Sequence, residues 1–151
     1  MQLSTLYRAF DSLKYTPIHP QWVANSWHLK KIELIKKHIN QGLCLDIGSG
    51  NDRIEDDIQN DGLCIVKLDY PTTSQRYGNK PDIYGDVQQL PIETNSTDAV
   101  IFFEVIEHVP NDEAALREIS RILKDSGLLF ISAPFLYPTH DQPFDFRRYT
   151  S

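Results

Sequence analysis

The sequence predicts an α/β protein in which a parallel sheet is flanked by helices. Two observations carry that expectation. Four short apolar runs, residues 43–47, 63–69, 98–104 and 127–134, read LCLDI, LCIVKLD, DAVIFFE and GLLFISAP. Runs this apolar suit strands buried on both faces, as in a parallel sheet. Helical patterns alternate with them, and that alternation implies βαβ units joined by right-handed crossovers.

Residues 3–14 carry Leu3, Leu6, Tyr7, Phe10 and Leu13, the 3–4 spacing of a short amphipathic helix. Pro17 and Pro20 break it. A second helix is expected from about Ser26 to Asn40, with Leu29, Ile32, Ile35 and Ile39 as its inner stripe and Gly42 as its stop. Its Lys30, Lys31, Lys36 and Lys37 read as a solvated face. After the first strand, residues 51–60 suit a short helix closed by Asp61-Gly62. Residues 112–124 suit a stronger one. Asn111 is its N-cap, Asp112 and Glu113 fill the first turn, and Ala115, Leu116, Ile119 and Leu123 face inward. Residues 70–81 and 134–151 read as irregular loops. The domain expectation is a single unit over 1–151, with an N-terminal helical cap (1–41), a binding core (42–135) and a substrate-side loop (136–151).

Composition narrows the function classes. A chain of 151 residues suits one domain, and 40% hydrophobic with 24% charged positions excludes a collagen-like, coiled-coil or disordered chain. No stretch approaches the ~18 consecutive apolar residues of a membrane span, and the first fifteen residues lack a signal peptide's apolar region. The formal net charge of −6 argues against a general nucleic-acid or anionic-membrane binder. Cys44 and Cys64 lie in apolar runs and are expected to be reduced core thiols, which suits a cytoplasmic chain.

In open α/β sheets, ligands bind at the carboxyl ends of the strands. The first such end is LDIGSGNDR, residues 45–53. Gly48 and Gly50 permit a tight turn and a close approach of backbone to ligand, and the helix that follows offers free N–H groups. A dinucleotide fingerprint requires G-x-G-x-x-G, but its sixth position here is Arg53. The acid before the glycines, Asp46, suits an ammonium group and repels a pyrophosphate. Asp69 closes the second run, where a carboxylate can accept hydrogen bonds from ribose hydroxyls. In GDVQQLP (85–91), Asp86 suits a base amino group, with the Val87 backbone beside it.

Together these pieces resemble the class I S-adenosylmethionine-dependent methyltransferases, closest to the small-molecule branch called methyltransferase type 11. The matching motifs are LDIGSGN, Asp69, GDVQQLP, DAVIFFEVIEHV and LREISRILKDSGLLFISAP, in order over roughly residues 42–135. The resemblance implies a Rossmann-like fold and S-adenosyl-L-methionine as cofactor. It implies that Asp46, Gly48 and Gly50 surround the methionine moiety, that Asp69 holds the ribose, and that Tyr70 lines the adenine pocket. It further implies that Asp86 and Val87 contact the adenine, and that Phe103 and Glu104 border the sulfonium and methionine end.

The chain departs from the family pattern at two points. The position of a third small residue is Asp52, a carboxylate close to the expected methionine carboxylate. The family's sheet has seven strands, the last two an antiparallel pair, whereas this sequence stops at Ser151. The expectation is a fold truncated after the fifth strand, lacking the C-terminal hairpin. LLFISAPF then becomes an apolar sheet edge, a liability that pairing of two chains would cover.

The stretch THDQPFDFRRYTS resembles a segment found after the fifth strand in this branch, several members of which are linked to sugars and surface polysaccharides. The resemblance places it over the active-site mouth and makes the partner a small-molecule methyl acceptor. Transfer to oxygen or nitrogen can require a general base. Candidates are His140, with Asp141 or Asp145 orienting it, and His108. Glu104, Glu107, His108, His140 and Asp141 show no fixed ligand spacing, so no metal is expected. Two other readings compete. One is a non-catalytic relative, motivated by Asp52 and the missing hairpin. The other is an NAD-type oxidoreductase, disfavoured by the absent third glycine and by Asp46.

Overall fold

The computed structural model describes residue 16 and residues 22–50, 54–135 and 142–149. The expected helix over 3–14 lies outside the described residues. The chain divides into two compact units after His38. The first contains helix α1 (Trp22–His38), which starts four residues earlier than expected. Ile32 and Ile35 are buried along it, but Leu29 is 60% exposed, so the expected inner stripe is narrower by one position.

The second unit is a five-stranded sheet with every pairing between strands parallel. Its elements are β1 (Gly42–Ile47), α2 (Ile54–Ile58), β2 (Leu63–Asp69), α3 (Pro71–Tyr77), β3 (Ile83–Tyr84), β4 (Thr97–Phe103), a 3₁₀ turn (Ile106–His108), α4 (Asp112–Ile122) and β5 (Leu123–Ser132). The strand order is β3-β2-β1-β4-β5, which puts β1 at the centre. Consecutive burial is the reason these runs carry so few charges. Cys44 to Ile47 and Ala99 to Phe102 are each four buried residues in succession, as strands covered on both faces require. Phe102, Ile119 and Ile122 join Leu45, Leu68 and Val100 in one core cluster.

Several expectations are corrected. Residues 70–81 contain α3 rather than an unbroken loop. Pro71 stands in its first turn and Gly78, at φ 70°, ends it in the left-handed region. Proline at the start and glycine past the end are helix boundaries as well as loop signals. The helix after Asn111 ends at Ile122, not at 124, because Leu123 already pairs with Thr97 in the sheet. A register shift then separates that pair from Ala99↔Leu128. Of the expected inner face, Ala115 and Ile119 are buried but Leu116 is 38% exposed. Cys64 is exposed and only Cys44 is a core thiol. The helix expected over 51–60 is described as Ile54–Ile58.

The Asn111 cap is as expected: its side chain accepts a hydrogen bond from Ala114 N at 3.0 Å. Asn111→Ala should therefore cost about 1 kcal/mol of stability, read as a lower urea midpoint at unchanged slope. At the opposite end of the sheet, Asp98 accepts from Leu43 N and from Lys124 Nζ, both at 2.8 Å. The Lys124 bond, and then the Leu43 N–H, hold the Asp98 carboxyl below its usual range.

Candidate functional site

The carboxyl ends of β1, β2 and β4 come together because all three strands run the same way. At the end of β1, Asp46 is 3% exposed. Burial, and secondarily the charge of Asp46, pushes the Cys44 thiol up to about 12, which removes it as a nucleophile near neutral pH. The chain then turns at Gly48, whose φ of 74° places it in the left-handed region. Its N–H donates to Leu68 O at 2.8 Å, so the turn is bound to the neighbouring strand.

Asp69 ends β2 and is 2% exposed. Its Oδ1 accepts from Tyr70 N at 2.7 Å. Its Oδ2 accepts from Gly50 N at 3.1 Å and from Asn79 Nδ2 at 2.7 Å. A carboxylate offers about four acceptor positions, so three are occupied and one remains on Oδ1. Asp69 thus joins the glycine turn to its own strand. Tyr70, directly after it, is 49% exposed.

The loop after β3 leaves Asp69 as well, since Gly85 N donates to Asp69 O at 3.1 Å. Asp86 accepts from Gln88 N at 2.8 Å and from Gln88 Nε2 at 3.0 Å. Gln88 Oε1 in turn accepts from Asn111 N at 3.1 Å. The Val87 side chain packs into the core, which leaves its backbone as the part a ligand can reach. Two α4 residues hold this loop. Glu118 accepts from Leu90 N at 2.8 Å, and Arg121 donates to Ile92 O at 2.9 Å.

Beyond Phe103, which is half-buried, Glu104 sits at φ 53°. That backbone conformation is costly for a residue with a side chain, and such residues concentrate at functional sites. Two bonds to β5 hold it: Glu104 N donates to Ser132 O at 2.9 Å, and Ser132 Oγ donates to Glu104 Oε1 at 2.6 Å. His108 faces the carbonyl of Phe144 through Nδ1 at 2.8 Å and Glu107 Oε1 through Nε2 at 3.7 Å. A carbonyl can only accept, so Nδ1 carries the proton.

Residues 142–149 lie against this corner. Phe146 N donates to Glu107 O at 2.9 Å, Arg147 donates to Pro110 O at 2.8 Å, and Tyr149 donates to Asp112 at 2.8 Å. The Tyr149 hydroxyl, and then the Arg147 guanidinium, hold the Asp112 carboxyl below its usual range. Asp145 is 7% exposed and pairs with Arg148 through both carboxylate oxygens. His140, Asp141 and Asp52 lie outside the described residues. Among the described residues, no three His, Cys, Asp or Glu side chains are grouped to hold a metal ion.

The sequence singles out Asp46 and Asp69 at strand ends, Gly48 and Gly50 in the turn after the first, and Asp86 in a loop. Sequence reasoning missed Asn79, Gln88 and Ser132, which reach the site from a loop or a neighbouring strand and carry no local motif.

A family model described as a methyltransferase domain matches residues 45–131, more than half of the chain. The chain belongs to the class I S-adenosylmethionine-dependent methyltransferases. A solved chain from Methanococcus maripaludis, assigned as an S-adenosyl-L-methionine-dependent methyltransferase, is 26% identical with a TM-score of 0.61 over 83% of this chain and 61% of that one. The demethylmenaquinone methyltransferase of Chlamydia caviae is 32% identical over 151 residues, covering 87% of this chain and 64% of the relative. A Mycobacterium tuberculosis protein, named as an S-adenosylmethionine-dependent methyltransferase, is 33% identical over 75 residues, covering 46% of this chain and 27% of the relative. The chain spans less than two thirds of each of these proteins.

The cofactor of this family is S-adenosylmethionine, and the residues present fit it. Among the described residues, a Cβ built on Gly50 would meet only the Gly48 carbonyl, at 3.9 Å, which suits a close approach of ligand to the turn backbone. The remaining Asp69 acceptor suits a ribose hydroxyl. The acid before the turn suits the ammonium group of a ligand that carries no phosphate.

Proposed function

We propose that the chain forms the cofactor-binding core of a methyltransferase acting on a small-molecule acceptor, with a sugar or polysaccharide precursor as the finer reading. The observation that carries the activity is Asp69, buried at the β2 end and bonded to the Gly50 N–H. The sugar reading rests on the likeness of residues 139–150 to the segment found in carbohydrate-linked members of the branch. A quinone-type acceptor is the competing class, since demethylmenaquinone methyltransferase is among the relatives.

When bound, the cofactor supplies an activated sulfonium methyl group for in-line displacement. The chain's own residues orient and desolvate the reactants. Asp69 and the Asp86–Val87 loop hold the nucleoside, Asp46 and the glycine turn hold the amino-acid end, and Glu104 borders the reacting end. His140 is proposed as general base with Asp141 orienting it. His108, whose Nε2 lies 3.7 Å from Glu107 Oε1, is the second candidate. The exposed apolar residues of edge strand β5, Leu128 and Ile131, are proposed to be covered by a second copy. Among the described residues no helix is long and apolar enough to cross a membrane, and a cytoplasmic location is proposed.

Calorimetric titration with S-adenosylmethionine, S-adenosylhomocysteine and NAD tests the proposal. Saturable binding of the two sulfur nucleosides with none for NAD is expected. Tight NAD binding without S-adenosylhomocysteine binding would eliminate it.

A further inference from the structure

The Asp69 carboxylate is held by a residue that no motif identifies. Helix α3 begins two residues after Asp69 and runs for seven residues. Gly78 then reverses the chain at φ 70°, with its N–H bonded to Ser74 O at 2.8 Å. The reversal returns Asn79 to the strand end, where its Nδ2 donates to Asp69 Oδ2 at 2.7 Å across ten residues. That is the one hydrogen bond of the Asn79 side chain among the described residues, and its Oδ1 is buried without a donor. A buried amide oxygen left unmet costs free energy. The packing that holds this amide therefore does so against a cost, and the contact with Asp69 is what it secures.

We infer that Asn79 is a positioning residue for nucleoside binding: its amide fixes Oδ2, so that the acceptor position left on Oδ1 faces the ribose. This rests on the reading of Asp69 as the ribose carboxylate. Without the amide, the carboxylate keeps only backbone donors, from Gly50 and Tyr70, and gains rotational freedom about its χ2 torsion. The consequence is specific to the sugar hydroxyls. Adenine and the amino-acid end are contacted by other residues, so the loss is concentrated on the sugar hydroxyls.

The test is a set of calorimetric titrations with S-adenosylhomocysteine and its 2′-deoxy and 3′-deoxy analogues. In the unchanged protein, loss of the hydroxyl that Asp69 accepts should weaken binding about 10-fold, the scale of one hydrogen bond to a charged group. In Asn79→Ala, S-adenosylhomocysteine should bind about 5-fold more weakly, and the penalty for the missing hydroxyl should shrink to about 2-fold. Gly78→Ala is the second variant. A Cβ there meets nothing within 4 Å, so it strains only the reversal that delivers Asn79. It should give a smaller loss with the same pattern. Equal weakening of all three ligands in both variants would mean a general structural role and would overturn the inference. So would unchanged binding in both. If the unchanged protein binds S-adenosylhomocysteine with no dependence on either hydroxyl, the ribose reading of Asp69 fails instead, and the inference with it.

Discussion

Asp69→Ala should weaken S-adenosylhomocysteine binding about 10- to 100-fold, equivalent to ~1–3 kcal/mol for a lost charge-assisted hydrogen bond. The change acts twice. It deletes the acceptor proposed for the ribose, and it strands three donors, the Gly50 and Tyr70 N–H groups and the Asn79 amide. The Gly50 contact matters most, because it holds the glycine turn against β2. Its loss loosens the amino-acid end of the crevice together with the ribose end. Calorimetry on protein whose thermal unfolding remains cooperative checks this, and an unchanged dissociation constant in a folded variant would contradict the assignment.

Gly48→Ala should destabilise the fold by ~2–4 kcal/mol and abolish measurable cofactor binding. The left-handed conformation costs a residue with a Cβ about 1–2 kcal/mol. In addition the new Cβ would lie 2.4 Å from Val105 Cγ2, and relieving such overpacking costs roughly 1–3 kcal/mol. Val105 cannot yield freely. It packs against the core and follows Glu104, which two bonds to Ser132 hold in place. Displacing it therefore disturbs two sides of the crevice at once. Gly50→Ala is the informative control, because among the described residues a Cβ there meets only the Gly48 carbonyl at 3.9 Å. Gly50 is left-handed too, at φ 49°, so the variant should weaken binding and cost about 1–2 kcal/mol of stability, without the added overlap at Val105. Urea unfolding paired with calorimetry separates the two variants.

The parallel sheet was legible because burial on both faces leaves a direct trace, the unbroken apolar runs of β1 and β4. The candidate acids Asp46 and Asp69 stood out for a related reason: a carboxylate closing an apolar run breaks its pattern. What escaped was whatever depends on contacts distant in sequence. Helix α3 was hidden because Pro71 and Gly78 punctuate loops and helices alike, and only the fold distinguishes them. Leu29 and Leu116 fit the helical period yet remain exposed, since periodicity locates a stripe but not the width of what covers it. β3 has two residues, too few for any pattern. Asn79, Gln88 and Ser132 matter through a partner 10, 23 or 28 residues away, a relation that one sequence does not display.

The central claim is most directly tested by a crystal structure of the chain with S-adenosylhomocysteine. The nucleoside should lie across the carboxyl ends of β1 and β2, with a ribose hydroxyl on Asp69 Oδ1 and the amino-acid end beside Asp46 and the glycine turn. Density for the ligand elsewhere, or a ribose that leaves Asp69 untouched, would contradict the account.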